Sequence, residues 1–394
     1  MRNVYLVLAL FLASLNLRPA ITSISPLLET IKDSLGMSGV TASLLTSIPV
    51  LCMGLFAPTA MKWNKLWGIE RTITFALVLI GAATAIRLFA VSSALLLFSA
   101  FAAGVGIAVA GPLLSGFIKK HFAANASSLV GIYSMALVVG AAVSAGLSVP
   151  LQNALGGSWQ ASIAAWSGLA IAALPLWILF SRKIKHIRPI ARTPASGNGR
   201  LPLRNKRSWL LTCYFGLMAF EFYSITAWLA PAVESLGYDK SFAGGMLTLF
   251  TFIQIPVSLL IPFLISRYPK RLAWLLGSAS LELCGLLLLV VSGSPWLIAI
   301  LLGIGAGGLF PIALMLPIDE TSNAEAASAW SAMVQSGGYV IGSLGPFFVG
   351  WMHDVSGGFT TAFVGLAAVA VTMMIAQLLI GNKKELSASN RHAA

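Results

Sequence analysis

The sequence predicts an all-α polytopic membrane protein, with twelve transmembrane helices in two pseudo-symmetric six-helix bundles. Three observations predict it. The 394-residue chain is 58% hydrophobic and only 9% charged, with a mean hydropathy of +0.88, which is a membrane composition rather than that of a soluble globule. Apolar stretches recur at the length needed to span, since ~20 residues at ~1.5 Å rise cross ~30 Å of hydrocarbon. Basic residues fall in the short gaps between them. A closed barrel would instead show alternating runs of ~10 residues.

The apolar segments lie at 4–28, 40–60, 71–91, 93–117, 127–150 and 159–180, then at 208–232, 241–265, 272–291, 294–316, 326–350 and 359–380. The opening run MRNVYLVLALFLASLN has the charged start and apolar core of a secretory signal. Its hydrophobicity continues through Arg18 to Leu28, so it reads as the first membrane helix. A cytoplasmic N-terminus puts Arg2, Lys62, Lys65, Arg71, Lys119, Lys120, the nine basic residues from Arg182 to Arg207, Arg267, Lys270, Arg271, Lys383, Lys384 and Arg391 on one side. Only Lys32 and Lys240 fall on the other, and Arg18 and Arg87 lie within the membrane. This bias predicts a multi-pass plasma-membrane protein with both termini cytoplasmic. It also explains the net charge of +13 without nucleic acid as a partner.

The longest connection, SRKIKHIRPIARTPASGNGRLPLRNKR (181–207), is basic and rich in Pro, Gly and Ser. It divides an N-terminal bundle (1–180) from a C-terminal one (208–394). It reads as a flexible cytoplasmic linker rather than a lipid or partner site. The two parts repeat each other. Gly104-x-Gly106 followed by Pro112 recurs as Gly303-x-Gly305 followed by Pro311, and Pro26-x-x-Glu29 recurs as Pro231-x-x-Glu234. Duplicated halves of this kind suit a transporter that rocks two bundles about a central site. GVGIAVAG follows no strand, so Gly104, Gly106, Gly303 and Gly305 read as close helix packing rather than a phosphate loop, as do Gly338/Gly342 and Gly140/Ser144.

Cys52, Cys213 and Cys284 lie far apart in apolar runs without metal-ligand spacing, so no metal or cofactor is expected. The four histidines, His121, His186, His353 and His392, are scattered. That leaves no cluster for an intramembrane enzyme.

The remaining chemistry lies in ionisable residues at membrane depth. An arginine there costs on the order of 3 kcal/mol on insertion scales. Counted at ~1.5 Å per residue from the cytoplasmic ends, Arg18 stands ~21 Å up, Arg87 ~24 Å, Glu221 ~20 Å and Glu282 ~15 Å. The Pro26/Pro231 register sets Arg18 opposite Tyr223, and Asn16 opposite Glu221. Three roles remain open for the arginines: binding an anionic or strongly dipolar substrate, pairing with Glu221, or, for Arg87, snorkelling to the interface. Glu221 is the proton-coupling candidate, because burial and a nearby arginine act on a carboxyl in opposite senses. A static ion pair remains its other reading. Gln335 and Tyr339 share a helix face at i, i+4, and a mid-helix amide facing lipid would be unsatisfied.

Twelve helices, a six-plus-six repeat and a basic central loop resemble the major facilitator superfamily. Its loop after the second helix carries G-x-x-x-D-R-x-G-R-R; MKWNKLWGIER keeps Gly68 and Arg71 but has Lys65 and Leu66 at the Asp and Arg positions. The antiporter signature of its fifth helix is absent from VGAAVSAGLSVP. NLRPAITSISPLL (16–28), GVGIAVAGPLLSGFIKKHF (104–122), FYSITAWLAP (222–231) and QSGGYVIGSLGPFFVGWMHD (335–354) are similar to the cyanate permease and nitroimidazole transporter branch. That resemblance implies Asn16, Arg18, Arg87, Tyr223, Gln335 and Tyr339 as cavity residues.

The expectation is therefore a monomeric secondary transporter, not an enzyme, working by alternating access on a small anion or compact polar organic solute. Protons are the expected coupling ion. An efflux porter for a neutral or cationic compound is the alternative within transporters.

Overall fold

A computed structural model of the chain describes residues 2–121, 126–184, 201–268, 270–321 and 324–381. Residues 185–200 of the expected linker thus lie outside the described residues, as do 382–394 of the tail. Every described element is helical. Among the described residues, eleven helical spans are long and apolar enough to cross a membrane: Val7–Leu35, Gly39–Trp67, Ile69–Phe89, Ser93–Ile118, Met135–Ala154, Trp159–Leu179, Lys206–Ser235, Lys240–Ile265, Arg271–Val290, Pro295–Asp319 and Thr360–Ile380. The expected eleventh segment (326–350) departs from a continuous span. It forms two helices, Ala324–Gly342 and Leu344–Ser356, joined at Ser343. Pro346 has no N–H to offer the Gly342 carbonyl, so the ladder breaks there. The two pieces together are called the eleventh span below, and Thr360–Ile380 the twelfth.

Several spans begin on side-chain caps written into the sequence. Ser38 Oγ accepts from Thr41 N at 3.1 Å, Ser158 Oγ from Ala161 N at 3.1 Å, and Asp239 Oδ1 from Phe242 N at 3.0 Å. Each satisfies a backbone donor that the first turn leaves orphaned.

The paired glycines set the packing inside each half. A Cβ at Gly104 would lie 2.6 Å from Pro49 Cα on the second span, and one at Gly106 would lie 2.6 Å from Ile80 Cγ1 on the third. In the other half, a Cβ at Gly303 would lie 2.8 Å from the Phe250 carbonyl on the eighth span, and one at Gly305 2.8 Å from Glu282 N on the ninth. The fourth span thus meets the second and third as the tenth meets the eighth and ninth. The sequence repeat is also a repeat of contacts.

The halves meet through spans 1, 2 and 5 against 7, 8 and 11. Their polar contacts run from mid-membrane to the end remote from the linker. Ser25 Oγ donates to Ala227 O at 2.7 Å, Lys240 Nζ to Thr30 Oγ1 at 2.7 Å, and Thr248 Oγ1 to Ala142 O at 3.2 Å. The remote end is therefore closed. Around the outside, Ile171, Leu179, Phe263 and Leu379 are exposed, as suits surfaces that face acyl chains.

Candidate functional site

The first span does not run through as one helix. Arg2–Leu15 stops, residues 16–18 form a turn, and the helix resumes at Pro19–Thr22. Pro19 carries no N–H, so the Leu15 carbonyl has no partner four residues on. Arg18 O then receives Ile21 N at 2.9 Å and Thr22 N at 3.0 Å, which restarts the helix. Gly140 of the fifth span makes room for the break, because a Cβ there would stand 2.5 Å from Leu15 O. Arg18 thus sits on unwound backbone halfway along a span. Broken helices at this depth are tolerated where they line a cavity or are buried in protein.

The guanidinium reaches across to the other half. Arg18 Nη1 donates to Tyr223 Oη at 3.4 Å, and Cζ stands 6.0 Å from the Phe222 ring centroid. Tyr223 donates to Met53 Sδ at 3.7 Å. Its ring lies 6.3 Å from that of Tyr339, which packs edge-on against Phe215 at 5.3 Å. Tyr133 of the fifth span also faces the guanidinium. No carboxylate among the described residues pairs with Arg18. Of its five donors, one makes a long hydrogen bond. The result is a half-buried cation in an aromatic cage, formed where both halves meet and lacking a counter-charge.

Of the residues expected in this cavity, the structure brings together Arg18, Tyr223 and Tyr339. Gln335 lies one turn from Tyr339 and is half-buried. Asn16 sits beside Arg18 in sequence but turns its amide back to Leu12 O at 3.1 Å, steadying the end of the first helix. Arg87 is not brought to the group. The third span tightens into a 3-10 turn, Ile86–Phe89, which lays Arg87 fully buried against the fourth span. There Nε donates to Ser99 Oγ at 3.0 Å, while Nη1 and Nη2 find no partner. Arg87 shares no partner with Arg18, and its burial removes the snorkelling reading.

The pairing of Glu221 with Arg18 is also corrected. Glu221 meets Glu282 of the ninth span, inside the C-terminal half. Glu221 is 0% exposed and Glu282 1%, and neither Glu221 oxygen finds a donor at regular hydrogen-bond geometry. Rotation about the seventh helix axis explains the difference: Tyr223 faces the other half while Glu221 faces inward. Tyr214, seven residues before Glu221 and hence on the same face, is the signal in the sequence that marks this side.

A family model described as Major Facilitator Superfamily matches residues 6–343. An uncharacterized transporter of Bacillus subtilis is 33% identical over 94% of this chain and 92% of its own. The cyanate transport protein of Escherichia coli is 31% identical, covering 95% and 96%. The 2-nitroimidazole transporter of Escherichia coli is 30% identical, covering 98% and 97%. Among solved structures, a D-xylose-proton symporter superposes with a TM-score of 0.74 at 14% identity, covering 97% of this chain and 99% of that one. A bacterial homologue of the lysosomal transporter Spinster gives 0.75 at 16%, covering 96% of each.

Proposed function

The chain belongs to the major facilitator superfamily and is a membrane transporter rather than an enzyme, and we propose that it moves a small anion, or a compact polar solute with anion-like oxygens, by alternating access. One observation carries this reading: Arg18 stands on an unwound turn between the halves, uncompensated by any carboxylate among the described residues. A half-buried charge without a counter-charge is costly, and an acceptor-bearing solute relieves that cost. A planar guanidinium suits carboxylate, nitro and cyanate-like groups through paired N–H donors. Tyr223 and Tyr339 add hydroxyls, and Gln335 an amide. The names of the cyanate and 2-nitroimidazole relatives fit the same acceptor chemistry.

Closure at the remote end, with no crossing hydrogen bond described nearer the linker, corresponds to one of the two states that a rocking carrier visits. Proton coupling through Glu221 completes the proposal.

Purified full-length protein in proteoliposomes tests it, with uptake measured for cyanate, nitrate, small carboxylates and 2-nitroimidazole. Arg18→Ala should abolish uptake of whichever solute the wild type carries while the protein remains folded and inserted. Undiminished flux in that variant would remove the proposal. Binding gives an independent measurement, because a ligand at 100 times its Kd stabilises the folded state by about 2.7 kcal/mol.

A further inference from the structure

Three consecutive residues of the seventh span divide between two places. Tyr223 meets Arg18 at the centre of the molecule, and Phe222 lies beneath the same guanidinium. Glu221 turns into the C-terminal half and meets Glu282. Two further polar side chains, both fully buried, converge there. Tyr214 comes from the seventh span and Gln377 from the twelfth. They face one another, and Tyr214 also faces both carboxyls. The Tyr214 hydroxyl, both polar atoms of Gln377, both Glu221 oxygens and Glu282 Oε2 all lack a partner at regular hydrogen-bond geometry.

Every element packed on this group contributes something identifiable. The ninth span brings Glu282, and the tenth brings Gly305, whose missing side chain leaves the space that Glu282 Cβ fills. The twelfth brings Gln377. Tyr214 is the only other titratable group facing the carboxyls among the described residues, and the cations of these elements stand at helix ends, where Arg207 and Arg271 pair with Glu320 instead. Two carboxylates in contact, sealed from water and without a positive neighbour, repel strongly in a medium of low dielectric. Paired carboxyls in other proteins resolve that repulsion by sharing one proton.

We propose that Glu221 and Glu282 form a carboxyl pair that holds one exchangeable proton inside the C-terminal half, with Tyr214 facing the pair and Gln377 facing Tyr214. The pair is separate from the Arg18 site and joined to it through Phe222. A narrow cleft beside Glu282 is lined by Met218, Phe222, Ala306 and Phe310, and it has room for about one water molecule. The Phe222 ring is therefore shared by the two sites, near the guanidinium on one side and lining the cleft beside Glu282 on the other. Protons enter and leave by the balanced step COOH···−OOC + H2O ⇌ −OOC···−OOC + H3O+, with no other reactant.

This inference rests on the transport reading for its role in coupling, but the site itself is testable without a substrate. Infrared spectra of the purified full-length protein at neutral pH should show the carbonyl band of a buried protonated carboxyl. The double variant Glu221→Gln/Glu282→Gln should lose it. A wild type without the band, or a double variant that retains it, overturns the pair. Saturable stabilisation by sodium over choline that is lost in the double variant would also overturn it, in favour of a bound cation.

The coupling role is read in proteoliposomes. Either single Gln variant should lose uptake driven by a pH gradient while retaining solute exchange at equal pH. Gradient-driven uptake that persists in both variants overturns the coupling role. Should no solute be carried while the band behaves as described, the transport reading fails and the proton site stands.

Discussion

Arg18 and Arg87 look alike in the sequence, each a lone cation in an apolar run, and the structure gives them different surroundings. Arg18 keeps most of its donors free between the halves, whereas Arg87 is sealed against Ser99. Replacing Arg18 by Lys keeps the charge but removes the planar fork. It is expected to weaken binding of a carboxylate or nitro ligand about tenfold, or about 1.4 kcal/mol, as read from ligand-induced thermal stabilisation. Arg87→Met exchanges a buried, mostly unpaired cation for an apolar chain of similar length, a change that is often neutral or stabilising. Ligand-induced stabilisation should match the wild type, and its loss would return Arg87 to the binding site. The sequence made Arg18 visible through the cost of burying it, and the Pro26/Pro231 register set it opposite Tyr223, which it contacts. Helix rotation was not legible in the same way. Glu221 and Glu282 stand at nominal depths that differ by about 5 Å at ~1.5 Å per residue, and nothing in either span announces that they turn toward each other.

At the scale of elements, the glycine repeat was legible because close packing demands it. Gly104→Ala and Gly303→Ala each force a methyl against a neighbouring span, and overpacking of this kind costs about 1–3 kcal/mol. A lowered unfolding temperature in detergent, with transport intact in any protein that remains folded, is the expected result. The breaks at residues 16–18 and at Ser343 were less legible. Pro19 and Pro346 cause them, yet Pro231 lies within an unbroken helix, so proline alone does not say where a span opens.

A second feature of this scale ties helix ends together. Glu320 receives Arg207 Nε at 3.2 Å and Nη2 at 3.0 Å, and Arg271 Nη2 at 3.3 Å. Arg271 also pairs with Asp319 at 3.4 Å, and Arg207 donates to Leu379 O at 2.9 Å at the end of the twelfth span. Burial pushes the Glu320 carboxyl up, but the hydrogen bonds and charge of Arg207, with those of Arg271, outweigh it and hold the group below its ordinary range. A depressed folded value means that this stabilisation is present above the unfolded range, near pH 4.3, and is lost as pH falls through the folded value. The unfolding temperature should therefore fall on acidification through that window. Glu320→Gln should remove that part of the pH dependence; an unchanged acid profile would count against it.

The whole molecule has one end closed, and a single carboxylate holds two spans of opposite halves together there. Asp354, at the end of the eleventh span, receives Gly39 N at 2.7 Å through Oδ1 and Val40 N at 2.8 Å through Oδ2. Those two N–H groups open the second span, where the orphaned donors and helix dipole favour an anion. Close approach is part of the arrangement, because neither Gly39 nor Gly350 leaves room for a side chain between the spans. The contact exists only while this end is shut, since separating the halves returns both donors and the carboxylate to water. On the alternating-access proposal it acts as a latch on one of two states rather than as a general source of stability. Asp354→Asn keeps the shape and removes the charge, so it should shift the population toward opening at this end. A cysteine placed at Ser25, which is buried and bonded to Ala227 in the closed state, reports that shift through its rate of labelling by a membrane-impermeant thiol reagent. Labelling should be faster in the Asn variant than in its parent, with Arg18-dependent ligand binding retained. Equal rates would show that apolar packing between the halves, and not this charge at a helix end, keeps the gate closed.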